Sequence, residues 1–142
     1  MKKKNFFIIK SLFILFTLGL FFTACNPDDP EPDTGDIRDK LVDSWKCTEN
    51  SATYGTQNYY VEITKDNQNG YIIIDNFFNL GLGKSIKAYV SGQTVTINNQ
   101  TVSGHLFNGS GTISSNFKSI SWQYTFDEGN GQENVTATYT KM

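Results

Sequence analysis

His105 is the single histidine of the 142-residue chain, and that count limits the available chemistry before any fold is considered. A His pair or a His-rich metal cluster cannot be assembled within one chain, and no nucleophile with an adjacent base is legible. His105 follows Gly104 and reads as a polar strand or turn residue, with a ligand contact as the sharper alternative. A catalytic role would need it to converge with carboxylates such as Glu62 and Asp75. Cys47 shares a strand face with Trp45 and reads as a small core hydrophobe, because free cysteine is among the most buried residue types and no base is placed to ionise it. Asp127, Glu128 and Glu133 flank a Gly/Asn-rich segment, but their spacing fits no calcium loop, and a solvated hairpin turn is the default. Gly109-Ser110-Gly111 lacks the Lys-Ser/Thr and the following helix of a phosphate cradle. A β-bulge or a bend in a barrel wall explains it better. These residues read as those of a non-enzymatic chain with no cofactor and no metal.

What remains is aromatic. Tyr59, Trp122, Tyr124 and Tyr139 fall on apolar strand faces, where they either fill an interior or line an open mouth that takes a small apolar or planar ligand. The segment Phe77-Phe78-Asn79-Leu80-Gly81-Leu82-Gly83 puts four large apolar side chains into a loop. Phe77, Phe78 and Leu80 either plug one end of the fold or form a patch or lid over a ligand or a protein partner. A filled interior is favoured over a roomy cavity, because strands of about six residues make a squat barrel and eight strands enclose little space.

The elements that must position these residues are mostly strands. Residues 37–142 suffice for one domain with one core. Asp36 to Asp43 is the one helical candidate: Asp36 can cap it, and Ile37, Leu41 and Val42 share a face. Strands are expected over Ser44 to Glu49, Asn58 to Lys65, Tyr71 to Asn76, Ser85 to Val90, Gln93 to Asn98, Gly104 to Ser114 with an interruption, Lys118 to Phe126, and Asn134 to Lys141. Asn69-Gly70, Ser91-Gly92 and Asn130-Gly131 supply the positive φ that tight hairpins require. Tyr59, Val61 and Ile63 alternate with Tyr60, Glu62 and Thr64; Ile120, Trp122, Tyr124 and Phe126 alternate with polar residues, as do Val135, Ala137 and Tyr139. One apolar and one polar face define an antiparallel sheet solvated on one side. Eight such strands joined by short turns favour an all-β, closed up-and-down barrel, since closure removes exposed edges. A two-sheet sandwich is the alternative.

The first 36 residues have a different character. Lys2, Lys3, Lys4 and Lys10 precede an uncharged, Phe/Leu-rich run from Ser11 to Thr23, the basic and apolar regions of a secretory signal. Its end, Phe22-Thr23-Ala24-Cys25, resembles the lipobox of bacterial lipoproteins, in which small residues precede a lipidated cysteine. An uncleaved spanning helix needs about 20 apolar residues, and Lys10 interrupts the stretch. The resemblance implies a signal peptide over 1–24 and a diacylglycerol thioether on Cys25, anchoring the chain to a membrane through several acyl chains. Residues 25–36 hold all three prolines and five carboxylates and read as an acidic, extended tether. Their composition resembles the sorting region of lipoproteins sent to the outer membrane, facing the periplasm or the cell surface. Without residues 1–24, eight basic and fourteen acidic side chains remain, a net charge of −6; residues 37–142 carry −1. No basic stripe exists, which argues against nucleic acid as a partner.

Leu41-Val42-Asp43-Ser44-Trp45-Lys46 resembles the Leu-x-Gly-x-Trp segment that opens lipocalin-like domains, with Asp43 in place of the glycine. Asn76-Phe-Phe-Asn-Leu-Gly81 and Glu133-Asn-Val-Thr-Ala-Thr-Tyr139 resemble stretches of small lipocalin-like outer-membrane lipoproteins of Gram-negative bacteria. The resemblance implies a calycin barrel over 37–142, with Trp45 covered by a basic side chain of the last strand, here Lys141. No activity follows from that resemblance; the apolar strand faces and the Phe77 to Leu82 loop point to a binding or interaction module whose partner is a small apolar ligand at the barrel mouth or another envelope protein.

Overall fold

The computed structural model describes residues 35–142; Cys25, the signal segment and most of the tether lie outside the described residues. Polar–apolar alternation organises these residues into β1 (Asp43–Ser51), β2 (Gly55–Lys65), β3 (Tyr71–Asp75), β4 (Ile86–Ser91), β5 (Thr94–Val102), β6 (His105–Ile113), β7 (Ser119–Asp127) and β8 (Gln132–Lys141). Each strand is antiparallel to its neighbours in sequence, and β8 returns to β1 from Trp45↔Lys141 to Asn50↔Thr136. The sheet therefore closes into an eight-stranded up-and-down barrel, which removes every free edge and excludes the sandwich.

Inward side chains form one continuous core. On β7, Ile120, Trp122, Tyr124 and Phe126 are buried, and on β8 so are Val135, Ala137 and Tyr139. Gly70, Gly92 and Gly131 take positive φ at three of the turns, as the dipeptides there require.

Three local expectations are corrected. The helical candidate is only a 3-10 turn, Ile37–Lys40, capped by the Asp36 carboxylate on Arg38 N at 3.0 Å. Leu41 is buried while Val42 is 39% exposed, because β1 begins at Asp43 and its alternation overrides helical periodicity. Four strands are also longer than expected: β2 has 11 residues, β8 has 10, and β1 and β5 have nine each. Finally, β6 runs unbroken through Gly109-Ser110-Gly111, and the irregularity lies opposite, between Ile97 and Gln100 of β5. There the Gln100 side chain stands in for a ladder rung, accepting from Lys87 N at 2.9 Å and donating to Lys87 O at 2.5 Å.

One end of the barrel is shut by the first 3-10 turn. Trp45 Nε1 donates to Leu41 O at 2.9 Å, and Lys141 Nζ lies 5.7 Å from the Trp45 ring centroid while donating to Lys40 O at 2.8 Å. Lys141 therefore covers Trp45. Arg38 locks the neighbouring 66–70 loop through Nη1, which donates to the carbonyls of Asp66, Gln68 and Tyr71 at 3.0–3.2 Å. The opposite end carries the loops after β1, β3, β5 and β7.

Candidate functional site

The long β3–β4 connection folds back into its own end of the barrel. Its second 3-10 turn, Phe77–Asn79, buries Phe77 and Phe78 (0% and 4% exposed), so both act as a plug. The Phe77 ring stands 5.0 Å from Tyr124, 5.2 Å from Phe107 and 6.4 Å from Trp122, centroid to centroid. Phe78 packs 4.6 Å from Phe126 and 5.7 Å from Tyr54. Burying each phenylalanine contributes about 1.5–3 kcal/mol. That offsets backbone strain, since Asn76, Phe78 and Asn79 all take φ between 54° and 57°. Asparagine tolerates this region, whereas for Phe78 it costs on the order of 1–3 kcal/mol.

Beside the plug is an open depression of about 240 Å³ lined by Tyr54, Gln57, Phe78, Asn79, Leu80 and His105. Leu80 is half-buried at its rim, and Leu82, beyond it, is 86% exposed. His105 is the first residue of β6 and points inward, stacked 5.9 Å from Phe107. Its Nε2 lies 2.7 Å from Glu128 Oε1, which also accepts from Tyr54 Oη at 2.5 Å. Sequence reasoning placed His105 on a polar strand or turn; the visible signal for the mouth was its i, i+2 relation to Phe107. Wider open depressions of about 390 and 450 Å³ lie on the outer wall of β6–β8 among Ser, Thr, Asn and Gln side chains.

Below the plug the interior is polar at one point. Glu49, on the inward face of β1, is 1% exposed; its Oε2 accepts from Tyr59 Oη at 2.5 Å and from Tyr124 Oη. Burial pushes the Glu49 carboxyl upward, partly opposed by the two phenol donors. The same burial, reinforced by neighbouring acidic groups, raises the Tyr59, Tyr124 and Tyr139 phenols. Cys47 is fully buried in the next layer, and its thiol is pushed up to about 12. Tyr59, Trp122, Tyr124 and Tyr139 thus lie inside the barrel rather than on its rim, and only Phe78 and Leu80 of the expected ligand residues border the open depression.

The remaining polar candidates are structurally engaged. Glu133 caps the β1–β2 loop, accepting from Ala52 N at 2.6 Å and Thr53 N at 3.0 Å. Asp127 Oδ1 accepts from Gly129 N and Gly131 N. Glu62 accepts from Ser44 Oγ and Asp75 from Gly83 N, on the β2–β3 wall, so neither joins His105 in a cleft. Among the described residues no group of three or more His, Cys, Asp or Glu side chains is arranged to hold a metal ion.

No family model and no curated protein matches the chain. Solved structures do. The chain is similar to a redesigned β barrel, b11L5F_LGL, at 13% identity and a TM-score of 0.56, over 77% of this chain and 97% of that one. It is similar to EF1p2_mFAP2b bound to DFHBI at 16% identity and 0.55, over 75% and 98%, and to the redesigned barrel mFAP1 bound to DFHBI at 17% and 0.54, over 75% and 100%. At these identities the likeness is one of fold. Fold and site together define an eight-stranded antiparallel barrel with one sealed end and one aromatic, plugged mouth.

Proposed function

We propose that this chain is a lipid-anchored, non-enzymatic binding module of the outer membrane, holding a small apolar ligand at the mouth of a lipocalin-like barrel. The mouth depression carries the reading: Tyr54, Phe78 and Leu80 offer apolar surface beside the polar groups of Gln57, Asn79 and His105, a mixture that small-molecule sites use for contact area and orientation. Its volume suits a compact ligand, and the plug offers a way to enlarge it. Support also comes from barrels of this fold that bind DFHBI. The membrane part of the proposal rests on the lipobox-like Phe22-Thr23-Ala24-Cys25 and the acidic tether.

Native mass spectrometry of the chain extracted from its source membrane tests the proposal. The expected spectrum shows a triacylated mature protein carrying a small adduct, which is lost in a Tyr54→Ala, His105→Ala variant. A chain that is repeatedly empty overturns the binding reading. The alternative, an accessory envelope protein docking a partner through an apolar patch, is favoured by exposed Leu82 with Tyr54 and Leu106 toward the same end, whereas Val42, Tyr60, Tyr89 and Met142 lie elsewhere.

A further inference from the structure

Three buried side-chain atoms inside the barrel have no hydrogen-bond partner: Glu49 Oε1, Trp122 Nε1 and Tyr139 Oη. Their residues are at most 1% exposed, and buried polar groups in folded proteins are nearly always paired. They are also neighbours. Glu49 faces Ala137 across the β1–β8 ladder and Ala137 faces Trp122 across β7–β8, which puts Glu49 and Trp122 in one layer. Tyr139 is in the adjoining layer, its ring 5.6 Å from that of Trp122. The Phe77 ring packs against Trp122 and against Tyr124, the residue that donates to Glu49.

We propose that Phe77 holds the place of a ligand ring: a phenol-class compound, one planar ring bearing a hydroxyl, enters at the mouth, displaces Phe77 and seats its hydroxyl among Glu49, Trp122 and Tyr139. The proposal rests on the small-ligand reading of the barrel and names the chemistry that site selects. The three unpaired atoms decide the class. Trp122 Nε1 can only donate, Tyr139 Oη can donate or accept, and Oε1 belongs to a carboxyl whose other oxygen already takes two phenol donors. A hydroxyl offers one donor and two lone pairs, so it can answer all three. An ammonium leaves the indole N–H unanswered, a carboxylate brings no donor and would itself be buried beside an acid, and a bare hydrocarbon ring leaves all three unpaired. The ring itself gains the aromatic surroundings that Phe77 now occupies, with Phe107 edge-on at 5.2 Å and Tyr124 tilted at 5.0 Å.

The proposal requires the plug to swing aside. Its backbone is held in the left-handed region at three non-glycine positions, and Gly81 and Gly83 follow at φ 102° and 79° with open space around them. It is tied to the wall by a few side-chain bonds, chiefly Asn76 Nδ2 to Tyr60 O at 2.7 Å and Asn79 Nδ2 to Gln57 Oε1 at 2.9 Å.

The test is isothermal titration of the full-length chain in detergent with p-cresol and with toluene, for wild type, Tyr139→Phe, Glu49→Gln and Phe77→Ala. The expected result is that p-cresol binds wild type at least about tenfold more tightly than toluene, since sites with unpaired polar groups reject analogues lacking the matching group. Tyr139→Phe and Glu49→Gln should each erase most of that preference with little effect on toluene, while Phe77→Ala should tighten p-cresol. Equal affinities for the two probes overturn the hydroxyl-specific site yet leave a mouth that binds apolar ligands. Failure of both probes in wild type and Phe77→Ala overturns the interior site, and an empty chain by native mass spectrometry separately overturns the mouth. Should Phe77→Ala not fold, the wild-type and Tyr139→Phe comparison decides.

Discussion

Tyr59 and Glu49 lie diagonally across the β1–β2 hairpin, Tyr59 opposite Cys47 and Glu49 opposite Gln57, and the buried phenol donates to Oε2 at 2.5 Å. The carboxyl is therefore raised in the folded chain above its ordinary 4.5, chiefly by burial. A group raised in this way stabilises the fold fully below its unfolded value, and the contribution is lost as pH climbs through the folded value. Wild type should thus lose thermal stability relative to Glu49→Gln as pH rises from about 4.5, the variant having no proton to release there. Melting curves of both proteins between pH 4 and 9 measure this, and parallel profiles would falsify the buried-acid assignment.

Gly109 and Gly111 sit opposite Tyr124 and Trp122 in the β6–β7 ladder, and both have ordinary extended φ. Their glycines are required by proximity. A Cβ on Gly111 would lie 2.8 Å from Trp122 Cδ2, and one on Gly109 would meet the Tyr124 backbone and Gln123 O. Gly111→Ala should cost about 1–3 kcal/mol by overpacking, and Gly109→Ala more, because backbone cannot swing aside as a side chain can. Urea unfolding with an unchanged m-value checks both substitutions.

The strands themselves were legible because alternation is a local property. Ile120 to Phe126 and Val135 to Tyr139 declare their faces without reference to anything distant, and eight such segments with Gly-containing turns point to closure. Glu49 was invisible for the opposite reason: an inward carboxylate contradicts the apolar pattern of Trp45 and Cys47, and its partners, Tyr59 and Tyr124, are 10 and 75 residues away. Likewise nothing local says that the bulge belongs to β5 rather than to its glycine-bearing partner, since the glycines answer the rings on β7. The mouth was half legible, with Phe77 and Phe78 plainly anomalous and His105 first a polar strand or turn residue, a ligand contact being its alternative, until β6 aimed it inward.

Arg38 is gripped by Asp36, which takes Nε at 2.9 Å and Nη2 at 2.6 Å, leaving Nη1 to hold three carbonyls of the next loop. A lysine cannot reproduce this fork. Arg38→Lys should lower the urea midpoint, while Lys118→Arg on the exposed surface leaves it unchanged. The Arg38 guanidinium holds the Asp36 carboxyl down at about 2. A depressed carboxyl contributes above its ordinary value and loses that contribution as pH falls through the folded one. The penalty of Asp36→Asn should therefore be present at pH 6 and fade between about pH 4 and 2; a penalty that stays constant across a pH series of melts would mean that the pairing is incidental.

Cys47 and Cys25 together make the thiol count of this chain diagnostic. Cys47 is fully buried, and burial pushes its thiol up to about 12, so only about one molecule in ten thousand carries the thiolate at pH 8. In the folded chain it should react with an alkylating reagent only as fast as the barrel opens. Cys25, if it carries a lipid thioether, has no thiol at all. Protein extracted from its membrane should accordingly show no fast-reacting thiol when folded and one when unfolded in guanidinium. Unprocessed chain expressed without its signal machinery should show one fast thiol and a second on unfolding, and Cys25→Ala should remove the fast one while leaving the protein unlipidated. A fast equivalent in the membrane-derived protein would separate two failures: its loss in Cys25→Ala would assign it to an unmodified Cys25, and its persistence would mean that the barrel leaves Cys47 open.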